Sequence, residues 1–71
     1  MSSSQQTVSR AVQEWMTSRG VTQETLALAL GVRQQSLSSK LRGRRRWSLD
    51  DLDRLAAHGV PVGVAITMEV L

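Results

Sequence analysis

The stretch from Thr22 to Leu41, TQETLALALGVRQQSLSSKL, leaves this chain the fewest choices of fold. It reads as two short helices joined by a four-residue turn around Gly31. Leu26, Ala27 and Leu30 face inward from the first, and Ala27 is small where two helices must approach closely. Gly31 permits the positive φ of a tight turn, and Val32 plugs that turn into the core. The second helix runs from about Gln34 to Arg42, with Leu37 and Leu41 as its buried edge. At 100° per residue Gln35, Ser39 and Arg42 point almost directly away, Ser38 flanks them, and Gln34 lies in the first turn. Two leucines are a thin core stripe for such a helix, so the rest of its surface serves a partner or water.

The flanking segments complete a small helical domain. Residues 1–6 are polar and read as a flexible lead-in, with Ser4 or Thr7 available as a helix N-cap. Val8, Ala11, Val12, Trp15 and Met16 then form one apolar stripe, with Trp15 as a core anchor, until Gly20 ends the helix. Thr22 caps the next helix, and Glu24 stands at the positive end of its dipole. After Gly43 the run Arg44-Arg45-Arg46 forms a loop. Ser48 then caps a fourth helix with Asp50 and Asp51 in its first turn, Trp47 stapled onto Leu52, and Leu49, Leu52, Leu55 and Ala56 inside. His58-Gly59 ends it.

The tail changes period. Val62, Val64, Ile66, Met68 and Val70 alternate with Gly63, Ala65, Thr67 and Glu69, which favours a β-strand. A lone strand needs a partner, so two copies are expected to pair about a two-fold axis and bury Ile66 and Met68, with Val64 and Val70 on the same face. The alternative is a short fifth helix starting at Pro61. The expected layout is therefore a lead-in over 1–6, a mostly α four-helix domain over 7–60, and a dimerising C-terminal strand over 61–71.

Charge narrows the partner. The net charge is +3, but residues 33–46 hold Arg33, Lys40, Arg42, Arg44, Arg45 and Arg46 without an acid, leaving the rest of the chain at −3. A basic patch on an acidic body is the footprint of a polyanion ligand. Without cysteine and with one histidine, the chain offers no metal site, and no cofactor or small-molecule ligand is expected. It shows no nucleophile with a histidine at workable spacing, no paired-carboxylate cleft and no Gly-rich phosphate loop, so enzyme chemistry is not expected. Two tryptophans, both better placed in the core, argue against single-stranded RNA. MSSSQQ is no signal peptide and no stretch suits a membrane span, so a cytoplasmic protein is expected.

Several of these residues resemble the Cro and lambdoid-repressor helix-turn-helix family: Gln23 opening the second helix, Leu26-Ala27, Leu30-Gly31-Val32 across the turn, Leu37 within the third helix, and Arg42-Gly43 closing it. The resemblance covers roughly residues 7–60. It implies that the third helix enters the major groove of double-stranded DNA, with Gln34, Gln35 and Ser39 as base-reading residues and Ser38 beside them. Gln34-Gln35-Ser36 is similar to the start of the recognition helix in some lambdoid repressors. Glutamine can pair bidentately with adenine, so A·T pairs are expected in each half-site. The resemblance places Gln23 on a phosphate and against the first recognition glutamine, with Thr22, Arg33, Lys40, Arg42, Arg44, Arg45 and Arg46 completing the phosphate-binding set. Lys40 departs from the family, which often has a buried aliphatic residue there; it is expected to snorkel along the core edge toward a phosphate. The implied protein is a small phage or prophage repressor, a homodimer on the nucleoid of a bacterial host. The competing expectation is an antitoxin-like module whose apolar tail wraps a protein partner.

Overall fold

In a computed structural model, which describes the backbone of residues 3–70 and the side chains of residues 4–67, five helices follow one another. They are α1 (Ser3–Arg19), α2 (Gln23–Leu30), α3 (Gln34–Leu41), α4 (Leu49–Ala57) and α5 (Val62–Val70). α1 packs against α3 and α5, α2 against α3, and α4 against α5. One core joins them all: Val8, Val12 and Met16 from α1, Leu26 and Ala27 from α2, Leu37 and Leu41 from α3, Trp47, Leu55 from α4, and Val60 and Val62 from the entry to α5. The three α1 residues recur every fourth position, which keeps them on one face.

The helix ends explain how so short a chain makes four reversals. Thr22 caps α2 by accepting the Thr25 N–H at 3.1 Å. Ser48 and Asp51 form a reciprocal capping box at the start of α4. At the other ends, α1 to α4 all close on a glycine of positive φ, followed by a residue whose N–H returns to the carbonyl five positions back. At Gly31 (φ 72) the bonds are Gly31 N–H to Leu28 O at 3.2 Å and Val32 N–H to Ala27 O at 3.0 Å. This Schellman closure needs a left-handed residue, which a side chain disfavours. After three of the four glycines comes a valine turned toward the core, Val21, Val32 or Val60. After Gly43 comes the exposed Arg44. The chain therefore stays on the surface through Arg46 and re-enters the core only at Trp47, which is buried.

The tail corrects the expected strand. Residues 62–70 form α5, and no strand occurs among the described residues. An extended tail would leave its backbone groups unpaired within one chain, whereas a helix satisfies them internally, beginning with Ala65 N–H to Pro61 O at 3.1 Å. Val62 and Ile66 lie one turn apart, so residues that alternate along a strand also make a helical stripe, and both pack on the chain's own core. The proposed strand pairing through Val64, Ile66, Met68 and Val70 has nothing to form it. Ile66 is partly buried within the chain, Val64 is 62% exposed, and the side chains of Met68 and Val70 lie outside the described residues.

Three smaller expectations also change. Residues 3–6 belong to α1 instead of preceding it, and Gln5 reaches across to the backbone of Trp47. Leu49 and Ala56, expected inside, are exposed, because they lie about 100–160° around α4 from Asp51 and Leu55, the side that is buried. Trp15 is a half-buried rim residue instead of a core anchor, with the Arg19 guanidinium 5.2 Å from its ring centroid and no hydrogen-bond partner for its indole N–H.

Candidate nucleic-acid interface

α3 is fixed from beneath and open above. Leu37 and Leu41 are buried, while Gln34 and Gln35 are exposed and Ser36, Ser38 and Ser39 half-buried. The start of α3 differs from those of α2 and α4. Its N-cap, Arg33, makes no side-chain capping bond, and no acid lies in its first turn. Its first N–H groups are thus not neutralised by the chain itself, a state that favours an approaching anion.

The arginine loop folds back along this helix. The N–H groups of Arg44 and Arg45 both donate to the Ser39 carbonyl, at 2.8 and 3.3 Å, and Arg45 Nη1 lies 3.4 Å from Ser36 Oγ. Arg33, Arg42, Arg44, Arg45 and Arg46 are all exposed. The outer face of α3 and this cationic rim form one continuous polar surface. Thr22 and Gln23 stand at the start of α2, exposed and half-buried respectively. The Thr22 hydroxyl is occupied by its cap, accepting from Thr25 N–H and donating to Thr25 Oγ1 at 2.9 Å. It therefore serves to shape the α2 terminus.

Behind α3 lies a polar scaffold that connects three elements. The Gln5 side-chain amide accepts the Trp47 N–H at 2.5 Å and donates to the Trp47 carbonyl at 3.2 Å. The Trp47 indole N–H donates to Ser9 Oγ at 2.9 Å, and Ser9 Oγ donates to the Lys40 carbonyl at 3.1 Å. Lys40 Nζ in turn reaches Asp51 Oδ2 at 2.6 Å, with both side chains mostly buried. That same carboxylate oxygen accepts the Ser48 N–H at 2.8 Å. Burial pushes the Asp51 carboxyl up, but the Lys40 bond, the backbone and hydroxyl bonds of Ser48 and the nearby ammonium charge together hold it below its ordinary value of 3.8.

The structure thus gathers Gln34, Gln35, Ser38, Ser39, Arg33, Arg42 and Arg44 to Arg46 on one surface, while Gln23 stands at the start of α2, the end away from the turn. It does not place Lys40 as expected. The ammonium that was to reach a phosphate is held inward by Asp51, whose carboxylate gives this mostly buried cation the charge-assisted partner that burial requires. Gln5, Ser9 and Asp51 were not expected to take part in supporting α3. Gln5 and Ser9 carry no sequence mark, being ordinary polar residues of an amphipathic helix. Asp51 was visible only as a cap.

The two capped or closed helices around Gly31, the buried small Ala27 and the exposed second helix together make the geometry of a helix-turn-helix unit. A family model described as helix-turn-helix matches residues 12–58, from within α1 to the end of α4. The chain belongs to the helix-turn-helix family. Membership makes this helix-turn-helix domain a DNA-binding regulator. No curated protein and no solved structure matches the chain. Among the described residues, this helix-turn-helix protein has no cluster of three or more His, Cys, Asp or Glu side chains able to hold a metal. No described helix is long and apolar enough to cross a membrane.

Proposed function

We propose that the chain is a Cro-like transcriptional repressor that binds a pseudo-palindromic operator as a homodimer. The observation that carries this reading is the continuity of the exposed α3 face with the five arginines, two of whose N–H groups are anchored on Ser39. α3 lies in the major groove. Gln34 and Gln35 pair with adenine edges, and Ser38 and Ser39 make shorter contacts deeper along the helix. Arg33, Arg42, Arg44, Arg45 and Arg46 hold phosphates, and Gln23 holds a further one beside the α2 N-terminus, whose shape Thr22 sets. Lys40 is left out of the phosphate set. Serine side chains are short, so part of the selectivity comes from the deformability of the duplex under the arginine loop.

Dimerisation in this reading uses the outward side of the C-terminal helix, where Val64 is exposed next to Pro61, Ala65 and Trp15 around a shallow apolar hollow between α1 and α5. Two subunits would present their α3 helices about one helical turn of DNA apart. Selection of duplexes from a random library by the purified chain, at two salt concentrations, tests this directly. A two-fold symmetric consensus containing A·T pairs in each half is the expected result. Weak binding that depends on salt but enriches no sequence would overturn it and favour a protein partner for the α1–α5 hollow.

A further inference from the structure

Lys40 is anchored at both ends of the residue. Its carbonyl accepts from Ser9 Oγ on α1, and its ammonium is bonded to Asp51 at the start of α4. Besides the pair itself, the small hollow beside it is lined by Leu30, Val32, Leu37, Trp47, Leu55 and Arg54, mostly apolar groups, so its attraction is less screened than on the open surface. Stability alone does not account for it. A buried ion pair is often replaceable by apolar side chains with little loss, because desolvation offsets the attraction. What a charged pair adds is direction: a contact of fixed length and angle, where apolar surfaces can slide.

That direction matters because of where Lys40 stands. α3 rests on only two buried side chains, Leu37 and Leu41, which lie on one line along the helix and leave rotation about that line weakly opposed. Lys40 lies to the side of that line, about 60° round the helix from Leu37. Gln35 is five residues away, about 7.5 Å along the axis, so a 10° tilt at Lys40 moves it by about 1.3 Å. A bidentate contact to a base has no such tolerance, its donor–acceptor window being about 0.5 Å wide.

We propose that Lys40 is a positioning residue that, held by Asp51 and Ser9, sets the tilt of α3 for base reading and makes no phosphate contact. The inference rests on the DNA-reading function proposed above. It predicts a separation that a phosphate contact would not show. In Lys40→Met, the affinity for the best selected duplex falls about tenfold, the size of the penalty for one base left unread, while affinity for an unrelated duplex of equal length stays the same. The slope of log affinity against log salt is also unchanged, since no phosphate contact is removed.

The experiment measures binding of wild type, Lys40→Met and Lys40→Arg to those two duplexes across a series of salt concentrations, with circular dichroism to establish folding at the assay temperature. Lys40→Arg keeps the charge but changes the length and shape of the head, so it is expected to lose discrimination without changing the slope. It carries the test alone should Lys40→Met unfold. A slope in Lys40→Met that is shallower by about 0.9, with both duplexes weakened equally, would show a phosphate contact and overturn the proposal. Full discrimination in folded Lys40→Met or Lys40→Arg would overturn it as well. Failure of the DNA-reading function itself is distinguishable, because the wild type would then not discriminate between the duplexes.

Discussion

Ser9→Ala removes a single oxygen from the protein, yet the structure assigns it a large cost. Ser9 and Trp47 are both buried, and Ser9 Oγ is the acceptor for the indole N–H at 2.9 Å. Without it the indole N–H is a buried donor with no partner, which costs about 1–3 kcal/mol. The Lys40 carbonyl also loses a bond, but it keeps the Gly43 N–H at 3.1 Å. Its share is therefore smaller, about 0.5–1 kcal/mol. A total near 2–3 kcal/mol is a large part of the stability of so small a domain. At about 4–8 °C per kcal/mol it should lower the thermal midpoint by roughly 8–24 °C. Thermal and urea unfolding followed by circular dichroism would measure it. Repeating the substitution in a Trp47→Phe background supplies the control, since no indole N–H remains to be orphaned and the cost should drop to about 1 kcal/mol or less. A loss within about 0.5 kcal/mol of zero in the wild-type background, or an equal loss in both backgrounds, would refute the relay from Trp47 through Ser9 to α3.

Other consequences are as direct. Gly31→Ala should cost about 1–2 kcal/mol in unfolding experiments from backbone strain alone, because an added Cβ meets nothing within 4 Å at φ 72; an unchanged stability would contradict the left-handed turn. The Asp51 carboxyl is held below its ordinary 3.8, so the unfolded chain binds more protons than the folded one between the two values. Its contribution is fully present above the unfolded value and lost as pH falls through the folded one. Acid unfolding of Asp51→Asn should lack that component, and identical pH dependence in the two proteins would exclude the Lys40 and Ser48 contacts as its source. Replacing Arg44, Arg45 and Arg46 by alanine should make the salt dependence of duplex binding shallower by about 0.9 for each phosphate no longer neutralised; an unchanged slope would remove them from the backbone-binding set. Gln35→Ala should cost about 1–3 kcal/mol of affinity at the best site and nothing on unrelated duplexes, measured by fluorescence anisotropy. Equal loss on both would end its role in reading bases.

Much of the domain was legible because its helices declare their own ends. Thr22, Ser48 and the glycines at 20, 31, 43 and 59 act within a few residues of themselves, and local chemistry is what a linear sequence displays. Leu26, Ala27 and Leu37 were readable for the same reason, through helical spacing. The tail was misread because Val62 and Ile66 satisfy both periods at once, and the choice between them is made by the core they meet on α1 and α4. Leu49 and Ala56 were misplaced because α4 buries the side carrying the Asp51 cap, which apolar patterning does not anticipate. At the interface, the exposed glutamines and arginines could be picked out by charge and spacing. The support behind them could not. Gln5 meets Trp47 across 42 positions and Ser9 meets Lys40 across 31, separations at which no local pattern connects two residues. Lys40 did stand out as a charge in an apolar position, but only the fold reveals that Asp51 is its partner.

Titrating a selected duplex into isotopically labelled protein, with backbone and side-chain amides followed by NMR, shows directly whether DNA meets the surface of α3 and its arginine loop. Saturable shifts concentrated in residues 22–24 and 33–46 are expected, with the side-chain amides of Gln34 and Gln35 among the largest. Saturable shifts centred on Trp15, Pro61 and Val64, with residues 33–46 unmoved, would contradict that contact.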